Sequence, residues 1–134
     1  MSEPLLVGGQ WRITSTTQTI VNPYTGKPVR EVCLADAKIV EEAIAAAQQG
    51  FKDMAGLPAH KRAAILENIA AGLQAEQSAL AKLITEETGK PITDSLTEVA
   101  RCVATFKFAA NEALNIGGEV VPMDTMPIGE GRIA

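Results

Sequence analysis

The sequence predicts an α-rich segment with β-hairpins at its N-terminus and three long helical regions after them. Three observations carry this. Short apolar runs broken by Gly and Pro fill residues 1–35. From Asp36 the apolar residues change to steps of three and four, the spacing of one helix face. That pattern then persists, with stops only at Gly-Pro corners, as far as Gly117-Gly118.

In the first region Leu5-Leu6-Val7 and Gln10 to Ile13 flank Gly8-Gly9, and a Gly-Gly pair supplies the positive φ angles of a two-residue hairpin turn. Ser15 to Gln18 reads as polar loop. Ile20-Val21 then runs into Asn22-Pro23-Tyr24-Thr25-Gly26, a turn by its Pro and Gly, before Val29 to Leu34 resumes extended structure.

Asp36 is a good N-cap for the first helix, whose stripe is Val40, Ile44, Ala47 and Phe51 and whose expected end is near Gly50. The second helical region starts near Pro58, since a first-turn proline forfeits an N–H that has no helical partner anyway. Ile65, Leu66, Ile69, Ala70 and Leu73 form its expected buried face. The polar stretch Gln74 to Ser78 should break or bend it, and Leu80, Leu83 and Ile84 carry it on to Gly89. A third long helix runs from Pro91 to about Ile116 with Ile92, Leu96, Val99, Val103, Phe106 and Ala110 on one face. These stripes are read as core packing, at roughly 1.5–3 kcal/mol per large side chain buried. Residues 118–134 are an extended piece (Glu119 to Pro122), a loop (Met123 to Gly131) and the first residues of a strand (Arg132 to Ala134).

Composition excludes several functions. The chain has 134 residues, 46% hydrophobic and 21% charged, the balance of a globular domain. Its net charge of −4 is spread without like-charge blocks, so there is no basic face for nucleic acid. No run approaches the ~18 apolar residues of a membrane helix, and no secretory signal opens the chain; the expectation is a cytoplasmic protein with neither membrane nor nucleic-acid partners. Cys33 and Cys102 lack CxxC spacing and read as small hydrophobes in a reducing compartment. One histidine, His60, and two separated cysteines do not make a zinc site or a Cys-His pair. A dinucleotide fingerprint needs glycines between a strand and a helix, and Gly8-Gly9, Gly117-Gly118 and Gly129-Glu130-Gly131 open no such helix. Gly89-Lys90-Pro91 is no P-loop: the upstream glycine and following Ser or Thr are missing, and Pro91 has no N–H to offer phosphate. Asp94 and Glu98 stand one turn apart, where a solvated face outweighs an acid–base pair.

The turns and caps, taken in order, resemble the N-terminal portion of the NAD(P)-dependent aldehyde dehydrogenases. The matching stretches are Val21 to Gly26, Ala43 to Phe51, Arg62 to Leu66, Leu80-Ala81 with Glu87 to Pro91, Glu98 to Arg101, and Gly118 to Pro122. Asn22 to Tyr24, Thr105 to Ala110 and Glu119 to Pro122 are most similar to the lactaldehyde dehydrogenase-like branch. The resemblance implies an α/β fold for the intact protein, with a Rossmann-like domain, a catalytic domain and an oligomerisation arm. Within it, residues 1–134 are the N-terminal segment: strands and turns over 1–35, helices over 36–117, and a lead into the oligomerisation strand over 118–134.

It further implies oxidation of an aldehyde to a carboxylate with NAD or NADP. A cysteine thiolate attacks the aldehyde, hydride passes from the thiohemiacetal to nicotinamide, and activated water hydrolyses the thioester. The residues that do this correspond to none in this chain, so the segment is expected to be non-catalytic and to bind no cofactor alone. Its expected partners are the remainder of a dehydrogenase chain and, when intact, further copies in a dimer or tetramer. The resemblance places one ligand here: a monovalent cation held by the carbonyls of Ile20 and Val21 and the carboxylate of Glu98, a hard ion on oxygen donors. Glu98 could instead pair with Arg101 or face water. A different class of function, a free-standing helical interaction module, also fits the residues.

Overall fold

A computed structural model describes residues 2–134. Strand β1 (Leu5–Val7) pairs antiparallel with β2 (Gln10–Arg12), and Val7 faces Gln10 across the turn. Gly8 and Gly9 take φ of 57° and 78°, the doubly positive turn whose twist suits a hairpin. A Cβ at Gly8 would meet that of Ala46 at 3.4 Å, so the hairpin lies close against the first helix. Strand β3 (Thr17–Val21) pairs antiparallel with β4 (Pro28–Cys33), with an irregularity between Ile20 and Val21. Thr17 and Gln18, expected in a loop, belong to β3: Thr17 pairs with Cys33, and its hydroxyl donates to Glu31 Oε1 at 2.7 Å. Cross-strand pairing at a β-branched residue outweighs the polar reading of that stretch.

Helix α1 (Ala37–Ala55) starts at Asp36, whose Oδ1 accepts from the Ile39 N–H at 2.8 Å. It passes through Gly50, where an end was expected, and stops at Gly56. An interior glycine costs only about 1 kcal/mol. The residues after it favour helix, and Gln49 reaches Asp53 across one turn at 3.1 Å. The true stop is Gly56-Leu57-Pro58. Helices α2 (Ala59–Ala75) and α3 (Gln77–Thr88) are the second helical region, broken at Glu76 inside the expected polar stretch. Gly89, at φ 74°, ends α3, and α4 (Ile92–Asn115) follows Pro91.

The core lies mainly between α2 and α4, with α3 packed on α4. Its helical members are small: Ala63 and Ala70 on α2, Ala81 on α3, and Ser95, Val99, Val103, Ala110 and Ala113 on α4. Small side chains let the helices approach closely. The one buried polar residue among those described, Ser95, is satisfied by the Thr85 hydroxyl at 2.8 Å. The expected stripes are only partly core. Ala70, Val99, Val103 and Ala110 are buried as expected, but Ile65, Ile69, Ile92 and Leu96 stay exposed, and α1 has no buried residue at all. The reason is geometric: α1 packs chiefly on the small β1 hairpin, which cannot cover a helix face five turns long.

The accessible surface shows the same thing for the whole chain. It totals 9985 Å², against about 6,700 Å² for a compact monomer of 14.1 kDa. After α4, Val121 and Ala134 exchange main-chain hydrogen bonds of 2.7 and 3.3 Å, so the last residues fold back on the extended piece around a short 3-10 turn, Pro127–Gly129. No helix among the described residues is long and apolar enough to cross a membrane.

Candidate functional site

The β3–β4 turn meets the corner between α3 and α4, and the candidate cation ligands lie on either side of that meeting. Asn22 organises the turn: its Oδ1 accepts from the N–H groups of Tyr24 (3.0 Å) and Thr25 (2.9 Å), and its carbonyl accepts from Gly26 at 2.8 Å. This Asx turn presents the Pro23 ring to Gly89. A Cβ at Gly89 would lie 3.0 Å from Pro23 Cγ, so that glycine supplies both a left-handed φ and room for the proline.

Charges brace the same corner. Arg30 on β4 pairs with Glu3 at 3.8 Å and with Glu87 at the end of α3, where Nε lies 3.2 Å from Oε1. The Arg30 Nε–H has no well-aligned acceptor, so that contact is an ion pair without a well-formed hydrogen bond. A shallow cleft of about 250 Å³ opens beside the turn, lined by Asn22, Thr25, Lys27, Pro28, Val29 and Glu86.

Ile20 and Val21 end β3, opposite Arg30 and Pro28. Pro28 has no N–H to give to Val21, so the ladder weakens where the sequence reading wanted carbonyl ligands. Glu98 lies on α4, with its carboxylate half-exposed and paired with Lys90 Nζ rather than with Arg101. Sequence reasoning missed Lys90 as this partner. The signal was the Gly89-Lys90-Pro91 corner, which turns the chain so that Lys90 reaches the second turn of α4.

The other candidates stay apart. Cys33 is buried at the end of β4, where the Thr14 N–H donates to Sγ at 3.4 Å and holds the thiol below its ordinary pKa. Cys102 is exposed beside an apolar cleft of about 340 Å³ formed by Leu73, Leu80, Ile84 and Val99. His60 is exposed at the start of α2. Among the described residues no hydrogen bond joins it to either thiol, and no group of three or more His, Cys, Asp or Glu could hold a metal ion.

Nor do the residues present fit a dinucleotide. The one direct strand-to-helix passage, β4 to α1, contains no glycine. Its helix N-terminus is occupied by the Asp36 carboxylate, which would repel phosphate.

Residues 11–132 match the aldehyde dehydrogenase family. The chain belongs to that family. Aspartate-semialdehyde dehydrogenase 1 of Pseudomonas canavaninivorans is 37% identical over 84% of this chain and 24% of its own length. Lactaldehyde dehydrogenase of Methanocaldococcus jannaschii is 32% identical over 90% of this chain and 26% of its own. The crystal structure of aldehyde dehydrogenase 21 from Physcomitrella patens, solved with the reaction product succinate, superposes with a TM-score of 0.89. It is 32% identical and covers 97% of this chain, which covers 27% of it. The chain thus spans about a quarter of the length of the aldehyde dehydrogenases it matches, the N-terminal quarter. Solved structures of the same fold hold NAD or NADP.

Proposed function

We propose that these residues serve as the N-terminal part of an NAD(P)-dependent aldehyde dehydrogenase that oxidises a small aldehyde, such as lactaldehyde, to its carboxylate. The observation that carries this is the family match over residues 11–132 by a chain a quarter as long as its relatives. The surface excess supports it. About 3,300 Å² more is exposed than a compact monomer would leave, at least as much as one side of a large obligate interface contributes. A free-standing interaction module would have to leave that surface open to water.

In this reading the strands and turns of residues 1–35 and the helices of residues 36–117 cover the rest of the chain, and residues 118–134 lead into the oligomerisation strand of a cytoplasmic dimer or tetramer. The segment itself neither binds NAD(P) usefully nor turns over aldehyde. The cation reading fits within it: Ile20 and Val21 carbonyls with the Glu98 carboxylate would hold a monovalent ion, in competition with Lys90. Titration calorimetry with NAD and NADP, alongside an assay for reduced nicotinamide with lactaldehyde, tests the reading. The expected result is neither binding nor turnover by the 134-residue chain. Micromolar binding, or turnover above blank, would overturn it.

A further inference from the structure

Helix α1 carries an apolar face that no other element among the described residues buries. Val40 and Ile44 are 46% and 48% exposed and Phe51 is 72% exposed, with Ala47 between them and a shallow depression of about 510 Å³ around Ile44, Ala47, Gln48 and Phe51. At about 100° per residue these four side chains point within roughly 30° of one direction. Their spacing reads the same in both directions: four, three, four.

A palindromic stripe is complementary to itself reversed. If two α1 helices run antiparallel about a two-fold axis between residues 45 and 46, Val40 of one meets Phe51 of the other and Ile44 meets Ala47. Each large side chain in the middle faces a small one, as interdigitated packing requires.

The charges settle the orientation. Glu41 and Lys52 lie about 90° and 110° round from the stripe on the same flank, some 16 Å apart along the axis. Both are exposed, and neither has an ion-pair partner among the described residues. A two-fold axis perpendicular to the helices keeps that flank on the same side in both copies and reverses its direction. Glu41 of each copy therefore falls opposite Lys52 of the other. A parallel two-fold pair would put this flank on opposite sides of the interface in the two copies, where Glu41 and Lys52 meet neither each other nor themselves. Arg12, on the hairpin packed against α1, is already paired with Glu42 on the far face of α1.

We infer that the 134-residue chain docks on a second copy of itself through α1, as an antiparallel isologous pair fixed by two reciprocal Glu41–Lys52 contacts. One stripe of four side chains is a small interface, so the dimer belongs to the weak, reversible class. The pairing is that of the 134-residue chain by itself, because in a longer dehydrogenase chain the remaining residues would compete for the same face; nicotinamide binding tests that enzymatic role separately.

Sedimentation velocity from ten micromolar to one millimolar reads it, with circular dichroism to confirm that each variant is folded. All the substitutions fall on exposed positions. Wild type is expected to pass from monomer to dimer across this range, and Ile44→Asp to stay monomeric. Glu41→Lys or Lys52→Glu alone should raise the dissociation constant about three- to tenfold, because two attractive contacts become two repulsive ones. The double exchange should restore it. A monomer throughout, dimerisation unaffected by Ile44→Asp, or a double exchange no better than the singles would each overturn the proposal.

Discussion

Helices α1 and α4 carry similar apolar stripes and meet opposite fates. On α4, Val99 and Val103 are each 3% exposed, pressed against α2 and α3. On α1 no side chain is buried. The difference teaches that periodicity tells which face of a helix is apolar and says nothing of what will cover it. The partners of α4, α2 and α3, come just before it in the same chain, joined by short corners at Glu76 and Gly89-Pro91. The main neighbour of α1 among the described residues is a three-residue-stranded hairpin.

The contrast can be broken first by a charge. Val103→Asp places an unpaired carboxylate between α2 and α4 and should abolish the cooperative melt, whereas Ile44→Asp on α1 should move the stability of the monomer by no more than about 0.5 kcal/mol. Thermal denaturation at low concentration compares the two, and equal losses would mean that α1 is packed after all. The next effect is at the corner that joins the two halves of the site. Gly89→Ala must adopt φ 74° and push against Pro23, and should cost about 1–3 kcal/mol by urea titration. An unchanged midpoint would show that the turn and the corner do not press on each other.

Asp36→Ala removes the cap of α1 and should cost about 1 kcal/mol of local helix stability. With so little packing to hold it, α1 should lose helical signal before the rest of the chain, which residue-resolved NMR would show as a separate, earlier transition. The smallest effect concerns the half-exposed Lys90–Glu98 pair. Glu98→Gln should change stability by under about 1 kcal/mol in a bulky organic salt. If Ile20, Val21 and Glu98 hold sodium, wild type alone should gain stability when sodium replaces that salt. No sodium-specific gain, or the same gain in the variant, would remove the cation reading.

Much of the fold was legible because its punctuation is local. Gly8-Gly9, Gly89 and Pro91 each set a local backbone condition and Asp36 supplies a local cap, and each marks a boundary in the structure. Gly50 was misread because an interior glycine is a small penalty that the favourable residues beyond it outweigh. Burial was less legible, since it depends on a partner: Ala70 and Val99 found theirs, whereas Ile65, Ile69 and Phe51 have the same pattern and remain exposed. At the candidate site, Ile20, Val21 and Glu98 were placed by resemblance. The Lys90–Glu98 contact and the Arg30–Glu87 brace belong to three-dimensional corners and have no helical-spacing signature.

Hydrogen–deuterium exchange at a concentration below self-association tests most directly the claim that part of this chain is built to be covered by something else. The amides of α4 from Val99 to Ala110 should be protected to the level of global unfolding. Those of α1 from Val40 to Phe51 should exchange orders of magnitude faster, through opening of that helix alone. Equal protection in the two helices would contradict the account, because it would mean that the fold is already complete around α1.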